Sequence, residues 1–244
     1  MNQVRMQTAE QPSQASISGR PLRLFFVDYL RAALVILVVL HHLAVVYGEG
    51  ISFWYVDPPR TESLAGLALV LFVLFNQAWF MGALFLLAGY FTPASYDRKG
   101  TGLFLQDRLI RLGIPLLIWV FILNPFSNIG LYLEPVVWIP EPLTWQSYWQ
   151  MYPEFIGLGV AWFLALLLIF SMGYVVWRWL MGNRQLSATR EASPPSYLGI
   201  AIFTLGLALV TYLVRIIVPI GRPVLDFPTL AYLPQYLSFF IVGA

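Results

Sequence analysis

Of 244 residues, 59% are hydrophobic and 11% charged, against about 45–50% and about 25% in soluble domains, a gap that excludes an ordinary water-soluble fold. The chain has no cysteine, which removes disulfides, thiolate nucleophiles and cysteine-ligated metals. Its formal charge is only +2, and nothing in the sequence supports nucleic-acid binding. Long apolar runs between short charged or proline-rich stretches predict an all-α, polytopic integral membrane bundle, because a helix bonds its own backbone where lipid offers no partner.

Residues 1–23 are polar, rich in Gln and Ser, and lack the apolar core and cleavage site of a secretory signal; they read as a flexible cytoplasmic tail. The helical membrane domain then occupies 24–244. A first span, about 24–47, follows Arg20 and Arg23 and at ~1.5 Å per residue crosses a ~30 Å core as an uncleaved signal anchor. A second, about 64–91, is longer than the bilayer needs and holds Asn76, Gln77, Gly82 and Gly89, so it is expected to tilt or bend. The polar stretch to Asp107 carries Arg98 and Lys99, and Arg108 and Arg111 lead into a third span, about 112–126, with Pro115 near its entry. From Ser127 to Pro153 the chain is rich in Pro, Trp and Tyr and has no Lys or Arg, as suits a loop at the membrane interface. A fourth span, about 155–180, precedes a hydrophilic loop with Arg184 and Arg190, and a fifth follows at about 197–218. The apolar segment 230–244 stops short of the ~20 residues a span needs and reads as a sixth cut off at the carboxyl end. No internal repeat is present.

With the amino terminus in the cytoplasm, Arg5, Arg20, Arg23, Arg98, Lys99, Arg108, Arg111, Arg178, Arg184 and Arg190 lie inside, and only Arg60 and Arg222 outside. Arg31 and Arg215 are embedded or near a boundary. That distribution fixes the expected orientation by the positive-inside rule. Glu49, Asp57, Glu62, Glu134, Glu141, Glu154 and Asp226 then face out.

Ionisable groups inside a span cost about 2.5–3.5 kcal/mol each on insertion scales, so they need partners or a task. The first span holds Asp28, Arg31, His41 and His42, the last two being the only histidines. At ~100° per residue, Asp28 and Arg31 are one turn apart, and Arg31 and His42 return to within about 20° of each other, with His41 turned away from that stripe. Two readings stand. Arg31 binds a phosphate or carboxylate and His42 is a general base, or Arg31 snorkels to the surface beside Asp28 and His42 packs. Arg108 and Arg111 form an R-x-x-R pair that either holds the phosphates of a soluble cofactor or anchors the span. Asn76 and Gln77 are of the kind that glues helices together. Trp162 and Phe163 either line a sugar-binding cleft or belong to the aromatic belt. No P-loop, H-E-x-x-H or G-x-S-x-G occurs, so Walker-type hydrolysis, zinc proteolysis and α/β-hydrolase chemistry lack a motif; no metal site is expected.

The stretch FFVDYLRAALVILVVLHH, Phe25 to His42, resembles the opening helix of the acyltransferase 3 family of membrane O-acyltransferases, in which an Asp-x-x-Arg is followed by a histidine eleven residues after the arginine. FLLAGYFTP at Phe85–Pro93, FLQDRLIRLGIP at Phe104–Pro115 and GVAWFLALLL at Gly159–Leu168 follow in the family's order. The resemblance implies transfer of an acyl group, often acetyl or succinyl, from a cytoplasmic coenzyme A thioester to a hydroxyl of a glycan or other envelope acceptor, in the inner membrane of a bacterium. Acyl-CoA is then a co-substrate, with no bound cofactor. It assigns His42, Arg31 and Asp28 to catalysis and Arg108 and Arg111 to the coenzyme. The alternative from the residues alone is a multi-span transporter or exporter of an anionic solute.

Overall fold

The computed structural model describes residues 25–47, 64–129, 143–182, 195–220, 224, 227 and 230–244. The tail 1–23, the bases Arg60, Arg184, Arg190 and Arg222, and most of the acidic residues assigned to the outside lie beyond the described residues. Among those described, all regular elements are helical, and Val224 and Phe227 form an isolated antiparallel bridge.

Helix α1, Phe25–Tyr47, turns a narrow face inward: Val27, Leu34 and His41, seven residues apart, with Ala44 and Val45. Seven residues make nearly two turns, so these side chains stack along one stripe. Val35, Ile36, Val39, Leu40 and Leu43 stay exposed, as suits a helix with lipid on its other sides.

The long second span does bend. Helix α2, Leu64–Gln77, ends at a turn over Ala78 and Trp79 before α3, Phe80–Arg108, begins. The turn frees the Ala78 carbonyl, and the Gln235 amide donates to it at 2.6 Å. Gln77 donates to the Tyr236 hydroxyl at 3.4 Å, which bears out its expected role as glue between helices.

Helix α3 is really two arms. Gly100 takes φ 71° and ψ 171°, a region essentially closed to residues with a Cβ. In one straight helix Met81 and Trp119 would be about 57 Å apart, yet both line one cavity; the chain therefore folds back at Gly100. The polar stretch that hydropathy places between two spans is thus almost all helix. It holds because its charges pair with each other: Lys99 with Asp107 at 2.8 Å and Asp107 with Arg111 at 2.8 Å. The helix that carries the expected third span therefore begins near Thr101, upstream of Leu112.

The rising arm continues through a π-turn at Leu109–Gly113, α4 at Ile114–Ile118, a second π-turn at Trp119–Leu123 and α5 at Asn124–Ser127. Each π-turn sits just ahead of a proline, Pro115 or Pro125. The N–H groups of Ile114 and Asn124 reach back five residues, to Leu109 and Trp119, widening the helix where a proline ring crowds it. Pro125 also lacks the N–H that would bond the Phe121 carbonyl, and the Tyr152 hydroxyl donates to that carbonyl at 2.6 Å.

Within the expected interface loop, α6, Trp145–Met151, starts with a Thr144–Ser147 capping box and leaves Trp145 and Trp149 exposed. Its Tyr148 hydroxyl donates to the Pro125 carbonyl at 2.6 Å. Short 3₁₀ turns at Tyr152–Phe155 and Gly159–Ala161 delay α7, Trp162–Leu180, beyond the predicted start of the fourth span. Pro153 and Gly159, the latter at φ 44°, explain the delay. Helix α8, Tyr197–Ile217, buries no residue. Helix α9, Leu233–Gly243, lies against the first arm of α3.

That last contact is backbone to backbone. A Cβ on Gly89 would strike the Phe240 carbonyl, and one on Gly243 would strike the Leu86 carbonyl. Small residues permit such approach where helices meet in lipid. The core then closes around Phe85, whose ring meets Phe163 at 4.8 Å, Tyr236 at 5.1 Å and Phe170 at 5.3 Å. Stretches 25–47, 64–127, 145–180 and 197–217 are each long and apolar enough to cross a membrane, and the second of them doubles back at Gly100.

Candidate active site

A cavity of about 490 Å³ opens where α1, α3, the rising arm and α7 meet. Its apolar wall includes Val38, Phe80, Met81, Leu84 and Leu123, and its polar or amphipathic groups are His41, His42, Gln77, Trp119 and Trp162. A mostly apolar hollow with a few convergent polar groups is the usual form of a small-molecule site.

The state of His42 follows from its contacts. Its Nδ1 lies 2.8 Å from the Val38 carbonyl, one turn earlier. A carbonyl only accepts, so Nδ1 carries a hydrogen, and in the neutral tautomer this selects, Nε2 keeps the lone pair. The ring is thereby held by its own helix through Nδ1, which leaves Nε2 as the nitrogen that takes a proton when the ring is neutral.

His41 is turned from the Arg31 stripe, as spacing requires, but it also lines the cavity. It is only 7% exposed, packs tilted against Phe80 with centroids 4.8 Å apart, and meets the His42 ring edge-on at 5.8 Å. The walls wrap two sides of α1, so neighbouring residues 100° apart both reach them.

The arginines gather at the other end of the same helices. Arg31 places its guanidinium carbon 4.1 Å from the centre of the Phe91 ring, with Asp28 one turn before it on α1. Arg108 lies over Phe104 at 4.9 Å and close enough to Arg31 for their charges to repel. Its Nε is buried and has no hydrogen-bond partner among the described residues. Arg111 is largely exposed and pairs with Asp107. The structure therefore brings Arg31 and Arg108 together and divides the R-x-x-R pair: Arg108 turns toward α1, Arg111 toward solvent. Arg31 and His42, eleven residues apart, are separated by about 16 Å along the helix axis. Arg108 and, where the chain leaves the bilayer, Arg31 and Arg111 are suited to phosphates through their planar fork of donors.

The sequence places Arg178 among the cytoplasmic bases and gives neither it nor Asp97 a structural role. Arg178 is 2% exposed. It donates to Asp97 at 2.6 Å and to the Tyr174 hydroxyl at 3.0 Å, and lies 4.8 Å from the Tyr96 ring centre. The signal was available: Arg178 stands inside the apolar run YVVWRWL, where an unpaired charge is not tolerated. Trp162 and Phe163 both line the cavity. Glu154 is exposed. Among the described residues no three His, Asp or Glu side chains gather where they could share a metal ion.

The fold and this cavity together define a polytopic helical membrane protein with an internal histidine-lined site. The family model of the acyltransferase 3 domain matches residues 24–244, and the chain belongs to that family. Glucans biosynthesis protein C of Salmonella schwarzengrund (strain CVM19633), of Salmonella agona (strain SL483) and of Salmonella heidelberg (strain SL476) are each 27% identical to it over 230 residues, which cover 91% of this chain. The chain spans 58% of the length of these relatives. No solved structure matches it.

Proposed function

We propose that this chain is a membrane acyltransferase that moves an acetyl or succinyl group from a cytoplasmic acyl-CoA to a hydroxyl of a glycan or other envelope acceptor, in a bacterial inner membrane with the amino terminus inside. The observation that carries this reading is the bonded state of His42: an imidazole fixed through Nδ1, with Nε2 left to act as base, on the wall of the cavity of about 490 Å³. The Arg31 and Arg108 cluster at the opposite end of the same helices supports a donor whose phosphates stay at one membrane face while its thioester reaches inward. Family membership and the names of the relatives support an acyl transfer and a glucan acceptor respectively.

In this mechanism His42 Nε2 takes the proton of the acceptor hydroxyl as its oxygen attacks the thioester carbonyl. Arg31, with Asp28 one turn away, positions the donor, and Arg108 and Arg111 hold its phosphates. Trp119 and Trp162 offer flat faces to a sugar ring. General-base assistance of this kind contributes about 10²–10⁴-fold.

The test is transfer of label from radiolabelled acetyl- and succinyl-CoA in membranes that contain this chain or its His42→Ala variant. Label in an envelope glycan that falls at least a hundredfold in the variant, with insertion unchanged, is the expected result and names the donor. Equal labelling in the two would remove His42 from the chemistry. Absence of any label with normal insertion, together with uptake or efflux of an anionic solute, would replace the enzyme with a carrier.

A further inference from the structure

The two adjacent histidines share one cavity but differ in what each Nδ1 touches. In His42 the nitrogen donates to the Val38 carbonyl. In His41 the corresponding nitrogen is buried and bonded to nothing among the described residues. A sealed N–H without an acceptor is among the rarest defects in folded proteins, and an unmatched lone pair is tolerated more readily. A neutral imidazole carries one hydrogen on one of two nitrogens. The hydrogen of His41 therefore belongs on Nε2. With Nδ1 shut off and one ring face against Phe80 at 4.8 Å, the Nε2 edge is the polar part of His41 left to meet the cavity it lines.

We propose that His41 and His42 are held in opposite tautomers, so that the cavity receives a lone pair from His42 and an N–H from His41, and that this N–H binds the carbonyl oxygen of the acyl group during transfer. The inference rests on the acyl-transfer reading above. In the step, the acceptor oxygen bonds to the thioester carbon and its proton passes to His42 Nε2. The carbonyl π pair moves onto oxygen, where the His41 Nε2–H holds it. Collapse re-forms the carbonyl and breaks the carbon–sulfur bond, and the thiolate recovers the proton from His42. Ester and thiol result, and both rings return to their starting tautomers.

A single pair of adjacent residues can perform both tasks because they point 100° apart around α1 and meet edge to face at 5.8 Å. The role is distinct from packing. Phe fills the His41 site against Phe80 but offers no donor, whereas Gln offers an amide N–H with a different shape.

Two measurements test it. The chain has two histidines, so ¹⁵N-histidine labelling in nanodiscs gives a spectrum of two rings, assigned by comparison with His41→Phe. One ring protonated on Nδ1 and the other on Nε2 is expected; two rings protonated on the same nitrogen would overturn the proposal. In the transfer assay, loss of one donor to a developing oxyanion lowers kcat about 10²–10³-fold. His41→Phe should show that loss with KM for acyl-CoA changed less than about threefold, and His41→Gln should recover part of it. Unchanged kcat in His41→Phe beside an inactive His42→Ala refutes the donor role alone. Unchanged kcat in both refutes the donor role of His41 and the base role of His42 together, whereas no transfer by the parent chain refutes the acyl-transfer reading itself.

Discussion

Removal of the Asp97 carboxylate should destabilise the protein more than any other single surface-near change in the described residues. Arg178 is 2% exposed, and its bond to Asp97 is 2.6 Å long. Deleting one partner of a buried ion pair leaves an uncompensated charge and costs about 3–5 kcal/mol. Asp97 keeps 27% of its side chain accessible, and Arg178 retains the Tyr174 hydroxyl and the Tyr96 face, so Asp97→Ala belongs at the low end, about 3 kcal/mol. That is about a hundredfold in the folding equilibrium. Replacing both partners with apolar residues, Asp97→Leu with Arg178→Met, removes the stranded charge and should be less damaging than Asp97→Ala alone, since buried pairs can be exchanged for apolar contacts at little loss. The assay is reversible unfolding in nanodiscs or micelles, read by tryptophan fluorescence across the four proteins of the double-mutant cycle. Asp97→Ala within about 0.5 kcal/mol of the parent, or a double variant less stable than either single one, would refute the argument.

Glycine substitutions separate two kinds of strain. Gly100→Ala meets no atom within 4 Å and should lose about 1–3 kcal/mol from backbone conformation alone, visible as a lower unfolding midpoint. Gly159→Ala adds a collision, because its Cβ would lie 2.7 Å from Asn124 Oδ1 and 3.1 Å from Trp119 Nε1; transfer should fall further than stability, as the displaced Trp119 is a cavity wall. Gly89→Leu should push α9 off α3 at a cost of about 1–3 kcal/mol or more, read as increased protease cleavage within 230–244. Tyr152→Phe leaves the Phe121 carbonyl without its donor and should cost about 1 kcal/mol, read as a lower unfolding midpoint.

The long apolar helices were legible because apolar length is a composition property: α1 and α8 fall nearly where hydropathy puts them, and α7 ends where it puts the fourth span. Where helices end was less legible. Hydropathy marks the whole polar stretch before Arg108 as a break, whereas the break is the single residue Gly100, and helix runs up to it on both sides because Lys99, Asp107 and Arg111 satisfy one another. The bend of the second span was readable from Asn76, Gln77 and its length, but the partner that makes it affordable, Gln235, is 157 residues away. The stripe of Arg31 and His42 follows from helical period. The place of His41 in the cavity did not, because period gives direction around α1 and not what stands on each side. The division of Arg108 from Arg111 depends likewise on a π-turn that begins between them.

The single-residue reversal at Gly100 leaves no slack between the two arms. Both arms count their residues from one origin, so Phe91 and Arg108 both come near Arg31, and Met81 and Trp119 both reach the cavity, because of how many positions separate each from that point. A one-residue insertion or deletion on either arm would slide it about 1.5 Å and rotate it about 100° against the other, exchanging the residues that face Arg31 and those that face the histidines in one stroke. The hairpin thus works as a ruler with two scales, and sequence change within it should be tolerated as replacement and not as change of length.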